Sequence, residues 1–130
     1  MPSTTIEVCH RYTTEEVQLI EAVQAALVEG FQIPVGDRCV RLVVHEPHRF
    51  IALAHLSQPT RYTVISISAF QGRSLEAKRK LYKGIVKRLA LFGIPPDHTK
   101  IILNEVPREN WGLRGGIPAS EIEFNFDINV

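Results

Sequence analysis

The sequence predicts an α+β fold of duplicated β-α-β units, which form a four-stranded mixed sheet with two helices on one face and add a C-terminal strand. Two observations support this prediction. Apolar residues alternate in several short segments and recur every three or four residues in two longer ones, as expected for strands and amphipathic helices. The same order of features also occurs twice, in residues 2–45 and 62–106, and residues 107–130 follow as a C-terminal segment. We therefore expect a single domain over residues 1–130.

The first unit begins with a predicted strand over residues 4–9, in which apolar and polar residues alternate. Thr13 with Glu16 three residues later has the pattern of a capping box, which predicts the start of a helix there. Gly30 is typical of the end of that helix. Residues 39–44 are the predicted second strand.

The second unit repeats this order. Residues 62–70 have strong strand character, and Ser74 is a favourable N-cap for the helix that follows. The helix is expected to end near Gly93, and residues 101–106 supply the fourth strand. Each strand–helix–strand unit places its two strands parallel, with the helix crossing one face.

Two details support a duplication. The run Phe31-Gln32-Ile33-Pro34 corresponds to Phe92-Gly93-Ile94-Pro95, and Arg11 and Arg73 each stand between a strand and a helix start. Two units with both helices on one side leave the other sheet face uncovered, so we expect a homo-oligomer. The perfect alternation over residues 122–128 predicts a last strand that can pair with the sheet edge of a neighbouring subunit.

Composition excludes several classes of protein. The 130 residues are 45% hydrophobic and 22% charged, with 15 basic and 14 acidic side chains, which is ordinary for a globular protein. No basic, aromatic-interleaved stripe indicates nucleic acid, and no apolar run is long enough to span a membrane. The N-terminus has no secretion signal, and Cys9 and Cys39 lack CxxC spacing, so we expect a cytoplasmic protein with free thiols.

The histidines do not predict a metal site. The five of them show no zinc-type spacing with cysteines or carboxylates, and Pro47 between His45 and His48 argues against a helix that presents both. We expect neither a metal nor a cofactor.

Pro2 is the first candidate for chemistry. Removal of Met1 would leave a secondary amine at the start of the first strand. An α-amine ordinarily titrates near about 8, and a neighbouring guanidinium or an apolar pocket lowers that value. Such an amine can act as a base or a nucleophile near neutral pH.

Arg73 is the second candidate. Gly72 before it frees the backbone at a strand-to-helix turn, where an arginine can bind a carboxylate bidentately. If the two units are related by a pseudo-two-fold axis, the first strands of the two halves run antiparallel, and Pro2 lies near Arg73. An amine and a guanidinium at one end of a sheet suit a small oxo- or enol-carboxylate substrate.

At these residues the chain resembles the tautomerase superfamily. The run Gln71-Gly72-Arg73-Ser74-Leu75-Glu76-Ala77-Lys78 is similar to the helix start of 4-oxalocrotonate tautomerases. The overall length, the duplication, Phe31-Gln32-Ile33-Pro34-Val35-Gly36-Asp37-Arg38 and Asn110-Trp111-Gly112 most resemble the malonate semialdehyde decarboxylase branch.

The resemblance implies a homotrimer with active sites at the subunit boundaries. It implies that Pro2 is the general base or acid, that Asp37 orients water near the amine, and that Arg73 binds the carboxylate of the substrate. Gln71 stands where the decarboxylases have a second arginine, and because it carries no charge it counts against decarboxylation. Asp37 also fits a plain turn residue, and Trp111 fits either a pocket wall or a core anchor.

Three functions follow. Proton transfer on a small 2-oxo or enol acid is favoured. A protonated Pro2 with Asp37 activating water would instead give hydratase, decarboxylase or dehalogenase chemistry. A non-catalytic trimeric binding protein is the third reading, and retention of Met1 would favour it.

Overall fold

Four strands form one mixed sheet, as predicted. The computed structural model describes residues 2–127 and 130. The strands are β1 (Ser3–Val8), β2 (Val40–Val44), β3 (Thr63–Phe70) and β4 (Thr99–Val106), paired in the order β2-β1-β3-β4. The strands of each unit are parallel, and β1 and β3 are antiparallel. The two units therefore meet through their first strands, with opposite directions.

Two helices, α1 (Glu16–Phe31) and α2 (Leu75–Leu89), pack together on one face of this sheet. In β1 and β3 every second side chain is buried against them, because successive side chains of a strand point to opposite faces. The largest fully buried side chains of the core come from both helices, both central strands and the connection after α2: Ile6, Leu19, Leu27, Phe31, Ile65, Ile67, Leu81, Ile85, Leu89 and Ile94.

The opposite sheet face carries no helix, and its described residues are mostly polar. The Arg41 guanidinium donates from Nη2 to Ser3 Oγ (3.2 Å) and to Thr5 Oγ1 (2.9 Å). Exposed apolar side chains on this face include Val43 and Ile102. A partner covering this face would therefore meet polar groups with some apolar residues between them.

The two helices start differently. Ser74 caps α2 as predicted, since its Oγ accepts a hydrogen bond from the backbone N–H of Ala77 (3.1 Å). The capping box predicted at Thr13 is wrong: Thr13 has a φ of 50° and makes no capping hydrogen bond, and α1 begins at Glu16 after a short 3-10 turn. The preceding Tyr12 is buried in the core, so the chain turns sharply there and Thr13 takes a left-handed conformation.

Gly30 lies inside α1 and does not end it. The left-handed residue at the helix end is Gln32, with a φ of 53°. A Cβ on Gly30 would lie 2.9 Å from Leu81 Cα, so the glycine is needed where α1 crosses α2. In the second unit Gly93, with a φ of 78°, has the end position that was predicted for a glycine.

The C-terminal strand is not present within the described residues. Residues 122–127 form no strand in the single chain, and Ile128 lies outside the described residues. The chain forms instead a short antiparallel pair, β5 (Gly112–Leu113) and β6 (Ile117–Pro118). The alternation arises because Phe124 and Phe126 turn inwards and pack together, with ring centroids 5.7 Å apart, while Asn125 between them stays exposed.

His98 has a structural role. It is fully buried, its Nε2 accepts the backbone N–H of Gln58 (3.0 Å), and its Nδ1 lies 2.7 Å from Asp97 Oδ1. The ring therefore ties the long segment before β3 to the start of β4. Among the described residues there is neither a helix long and apolar enough to cross a membrane nor a cluster of three or more histidine, cysteine or acidic side chains suited to a metal ion.

Candidate active site

Arg73 is held at the end of β3 with its side chain inside the protein. Gly72, with a φ of 123°, makes the turn out of the strand, and Arg73 is only 5% exposed. Its Nη1 donates to the carbonyl oxygen of Phe70 (3.3 Å), and its Cζ lies 4.8 Å from the ring centroid of Phe31, at the end of α1. One hydrogen bond and one aromatic face thus fix the plane of the guanidinium.

The other edge of this guanidinium has no hydrogen-bond partner among the described residues. Within the described part of the chain, Nε and Nη2 of Arg73 are buried and donate no hydrogen bond. Leaving charged donors buried and unpaired is costly, so such groups are uncommon outside functional sites. Nε and Nη2 form one edge of the planar guanidinium, and this edge can bind both oxygens of a carboxylate.

Burial lowers the pKa of the Arg73 guanidinium, because it removes water from the charged form. Three carboxylates, on Asp37, Glu105 and Asp127, act in the opposite direction. Arg73 therefore lies among acidic groups, and Asp37 has the largest effect of the three on its pKa.

Asp37 lies in the turn between α1 and β2. Its backbone N–H donates to the carbonyl oxygen of Pro34 (3.0 Å), and its own carbonyl accepts Gln24 Nε2 (3.1 Å). Asp37 is therefore a turn residue, as one of its two interpretations predicts. Its carboxylate is also close enough to Arg73 to act on the charge of the guanidinium. The two interpretations of Asp37 are compatible.

Pro2 is buried and directly precedes β1. The antiparallel register pairs Ser3 with Ser68, so one step further places Pro2 level with Ala69. The next residue, Phe70, offers the carbonyl that Arg73 binds. Pro2 and Arg73 therefore lie at the same end of the sheet, while Met1, whose removal would free the amine, lies outside the described residues.

Gln71 is exposed and lines a surface pocket of about 330 Å³. The other lining residues come from the segment after β4 and from the turn after β6: Pro107, Arg108, Glu109 and Ser120. Arg108 was not predicted as a site residue. The sequence feature that could have indicated Arg108 is its position just after β4. Val106 pairs with Phe70, so the ends of β3 and β4 are adjacent.

Trp111 anchors the C-terminal segment. Its Nε1 donates to the carbonyl oxygen of Val106 (3.2 Å), and its ring meets that of Phe70 edge to face, with centroids 5.2 Å apart. This arrangement favours the core-anchor interpretation.

The pseudo-repeat does not give two equal sites. Arg11, which corresponds to Arg73 in the first unit, has a side chain that is 68% exposed and pairs with Glu46 at 3.1 Å. The buried, partly unpaired guanidinium belongs to the second unit.

Comparison with known proteins gives one family. The sequence profile described as "Tautomerase enzyme" matches residues 37–114. This range includes Asp37, Gln71, Arg73 and Trp111, and Pro2 lies before it.

Two curated proteins are similar to part of the chain. A probable tautomerase of Ralstonia nicotianae is 33% identical over 58 residues, which are 44% of this chain and 81% of that protein. A 2-hydroxymuconate tautomerase of Comamonas testosteroni is 32% identical over 57 residues, which are 43% of this chain and 89% of that protein.

Solved structures share the fold over nearly the full chain. A malonate semialdehyde decarboxylase inhibited by 3-bromopropiolate has a TM-score of 0.80 at 25% identity, covering 94% of this chain and 98% of the other. A fused 4-OT described as an asymmetric trimer has a TM-score of 0.79 at 18% identity, covering 91% and 96%. The architecture built from the two units is therefore a known one.

Proposed function

Because the chain belongs to the tautomerase family, we propose that it is an enzyme that transfers a proton on a small 2-oxo or enol carboxylate, with Pro2 as the base. The observation that carries this proposal is the buried guanidinium of Arg73, with a carboxylate-binding edge unpaired among the described residues, at the end of the sheet where Pro2 begins β1.

Arg73 binds the substrate in this proposal. Its Nη1 is held by Phe70 O, so the Nε–Nη2 edge is left to receive both oxygens of a carboxylate. A bidentate charge-assisted contact in a buried site fixes the orientation of the ligand as well as its affinity. The remainder of a short 2-oxo or enol acid then extends along the end of the sheet towards Pro2.

Pro2 moves the proton. With Met1 removed, the neutral secondary amine accepts a proton from the enol hydroxyl and returns it to carbon, which gives the keto acid. The guanidinium of Arg73 disfavours a second positive charge nearby, and this keeps the amine neutral. The proline ring also prevents the amine from rotating away.

A second function is supported by Asp37. Its carboxylate acts on the charge of Arg73. The chain is also similar in fold to two malonate semialdehyde decarboxylases, one of which is described with both decarboxylase and hydratase activities. In this alternative Pro2 stays protonated and polarises the substrate while Asp37 activates water. Gln71 counts against it, because an uncharged side chain stands where that branch has an arginine.

We further propose that the protein assembles as a homotrimer. One sheet face has no helix over it, and a fused 4-OT of similar fold is a trimer. The active sites would then lie at the subunit boundaries.

The test begins with intact mass spectrometry of untagged protein, which shows whether Met1 is removed. Turnover of phenylenolpyruvate is then measured for the native chain, Pro2→Ala and Arg73→Gln. Loss of the positioned base is expected to lower kcat/KM by about 100-fold or more, and loss of the bidentate contact by about 30-fold or more. Arg11→Gln is the matched control and should retain activity, because Arg11 is exposed.

Full activity of Pro2→Ala would show that the proline only opens the strand. Release of CO₂ from malonate semialdehyde with no turnover of the enol acid would favour the decarboxylase alternative. If Pro2 is free and the chain neither turns over nor binds such acids, the binding-protein interpretation is the correct one.

A further inference from the structure

A pocket of about 310 Å³ lies at the β2 edge of the sheet. Its lining residues come from α1 and from the start of β2: Ile20, Gln24, Arg38, Cys39, Val40 and Arg41. None of the residues that the proposed reaction uses, Pro2, Asp37 and Arg73, lines it. The volume is at the lower end of the range for small-ligand sites, so the pocket suits a small molecule or a short peptide.

Cys39 is the nucleophilic group of this pocket. Its thiol is free and exposed, whereas the thiol of Cys9 is free and buried. Nη1 of Arg41 donates a hydrogen bond to the sulfur of Cys39, at 3.0 Å. Reactive cysteines are found in exposed positions beside positive charge, because the thiolate is the form that attacks. Of the two cysteines, Cys39 is therefore the one placed for a reaction with a molecule in solution.

The guanidinium of Arg41 is held beside that sulfur. Its Nη2 donates to Ser3 Oγ (3.2 Å) and to Thr5 Oγ1 (2.9 Å), both on the neighbouring strand β1. Within the described chain, all hydrogen bonds of this guanidinium thus go to neutral side chains. Its positive charge is therefore available to an anion in the pocket.

Arg38 supplies a second positive charge next to Cys39. Its Nη2 pairs with Glu21, and the two side chains are 50% and 48% exposed. An exposed ion pair contributes little to stability, so the carboxylate of a ligand can replace Glu21 at small cost. Two guanidiniums close to one sulfur favour a reaction partner that is negatively charged.

Gln24 offers an acceptor that the protein does not use. Its side chain is only 4% exposed, and its Nε2 donates to the carbonyl oxygen of Asp37 (3.1 Å), which fixes the amide at the start of β2. Its Oε1 is buried and has no hydrogen-bond partner among the described residues. An unpaired buried acceptor costs free energy, so this oxygen indicates a ligand that carries an N–H donor.

From this arrangement we infer that Cys39 is a modification site, where the pocket binds the disulfide of a small anionic thiol peptide, of the chemical class of oxidised glutathione, and forms a mixed disulfide with it. The carboxylates of the peptide pair with Arg38 and Arg41, and one of its N–H groups donates to Gln24 Oε1. The inference is independent of the proposed reaction, because it uses none of its residues.

The step is a thiol–disulfide exchange. Cys39 loses its proton to water, and the thiolate attacks one sulfur of the peptide disulfide. A bond forms between Cys39 Sγ and that sulfur, the original disulfide bond breaks, and its electron pair leaves with the second sulfur as a thiolate. The peptide disulfide is the oxidant, and an excess of the reduced peptide reverses the modification.

The test compares three disulfides that differ in charge: oxidised glutathione is anionic, 2-hydroxyethyl disulfide is neutral and cystamine is cationic. The rate of mixed-disulfide formation is measured by intact mass spectrometry at one pH and one ionic strength, and peptide mapping identifies the modified cysteine. Each rate is divided by the rate of the same disulfide with thioglycerol, a neutral thiol, because leaving thiols differ in intrinsic reactivity. This ratio is the corrected rate.

The proteins are the native chain, Cys39→Ser, Cys9→Ser, Arg38→Gln and Arg79→Gln. Arg79→Gln is the matched control for Arg38→Gln. Arg79 also pairs with a glutamate, Glu76, on an exposed surface, but it does not line the pocket. It therefore reports the effect of removing one surface charge and one ion pair away from Cys39.

We expect the native chain to take up one glutathione, on Cys39, with a corrected rate about tenfold or more above that of the neutral disulfide. Cystamine should react more slowly than either. Cys39→Ser should take up none, and Cys9→Ser should react like the native chain. Arg38→Gln should lower the glutathione rate by about fivefold and leave the neutral disulfide within about twofold, whereas Arg79→Gln should change neither by more than about twofold.

Equal corrected rates for the three disulfides would show that Cys39 is only an exposed thiol, and the binding pocket would be wrong. Modification of Cys9 in place of Cys39, or no modification of the native chain, would overturn the site itself. An equal loss of rate in Arg38→Gln and Arg79→Gln would contradict the role of Arg38.

Discussion

Arg73 and Arg11 show how one residue type takes two roles in corresponding places. Each arginine follows the first strand of its unit and precedes a helix. Arg11 lies in solvent beside Glu46, where an ion pair contributes little to stability. Arg73 is enclosed by Phe31 and the end of β3, where burial makes its charge costly. The carboxylates of Asp37, Glu105 and Asp127 offset that cost only in part, since the pKa of Arg73 is still lowered.

This difference predicts a trade between stability and function. Arg73→Met replaces a buried cation with an apolar side chain of similar length that can pack on Phe31. We expect the free energy of unfolding to be unchanged or to rise by up to about 2 kcal/mol, while binding of carboxylates is lost. Urea unfolding and ligand titration measure the two effects.

Arg11→Met is the control for that experiment and should change the free energy of unfolding by less than about 0.5 kcal/mol. A loss of more than about 1 kcal/mol in Arg73→Met would mean that Arg73 is held by structural contacts and not kept for a ligand.

The protonation state of Pro2 separates the two candidate reactions. Arg73 disfavours the ammonium form by repulsion, and Asp37 favours it if the carboxylate can bind the amine. We expect the guanidinium and the burial of Pro2 to dominate, so the amine should be neutral at pH 7, with a pKa below its usual value of about 8. Titration of the labelled Pro2 nitrogen by NMR measures it directly, and a value clearly above 8 would favour the hydratase or decarboxylase reaction.

At the scale of elements, the crossing of α1 and α2 determines where the arginine is buried. The helices are in close contact at Gly30 and Leu81, and Phe31, which covers Arg73, is the next residue. The packing of the two units and the geometry of the site are therefore linked through one glycine.

Two alanine substitutions test this contact. Gly30→Ala would place a Cβ 2.9 Å from Leu81 Cα and force the helices apart, with an expected loss of about 1–3 kcal/mol in the free energy of unfolding. Gly84→Ala, in the interior of α2, meets side-chain atoms at 3.7 Å or more, and should stabilise the protein by about 0.5–1 kcal/mol. Both are measured by denaturant unfolding, and equal effects would mean that the helices are not closely packed at Gly30.

The C-terminal segment is also an element-scale feature. Its alternation places Phe124 against Phe70, with ring centroids 5.3 Å apart, and the backbone oxygen of Val130 accepts the N–H of Ser74 (2.8 Å). The segment thus contacts both the end of β3 and the start of α2, which are the two elements on either side of Arg73.

At the scale of the whole molecule, the sheet face without a helix is the main candidate surface for assembly. Its central residues are polar and partly paired within the chain, as Arg41 is with Ser3 and Thr5. Such a face can be enclosed in an assembly only where polar groups remain hydrogen-bonded or hydrated.

We expect sedimentation velocity at micromolar concentration to show a trimer of the 14.7 kDa chain. A charged residue introduced at Ile102, which is exposed on this face, should weaken the assembly, whereas the same change at Leu91, exposed beyond the end of α2, should not. A stable monomer of the native chain would contradict the prediction.

The periodicity of the sequence determined the order of the four sheet strands and two helices, their duplicated arrangement and the Ser74 cap, because these depend on local spacing and on which side chains avoid water. It also placed Pro2 and Arg73 at one end of the sheet, since that follows from the antiparallel pairing of two equal units.

Only the tertiary structure decided the features that depend on contacts between distant segments. Thr13 takes a left-handed conformation next to the buried Tyr12. Gln32, and not Gly30, is the left-handed residue at the end of α1, and Gly30 instead packs against Leu81. Burial of Arg73 and exposure of Arg11 could not be told apart by local sequence, because each has the same place in its unit. Arg108 lies beside Gln71 because the ends of β3 and β4 are adjacent in the sheet, and the distance between these residues along the chain does not show this.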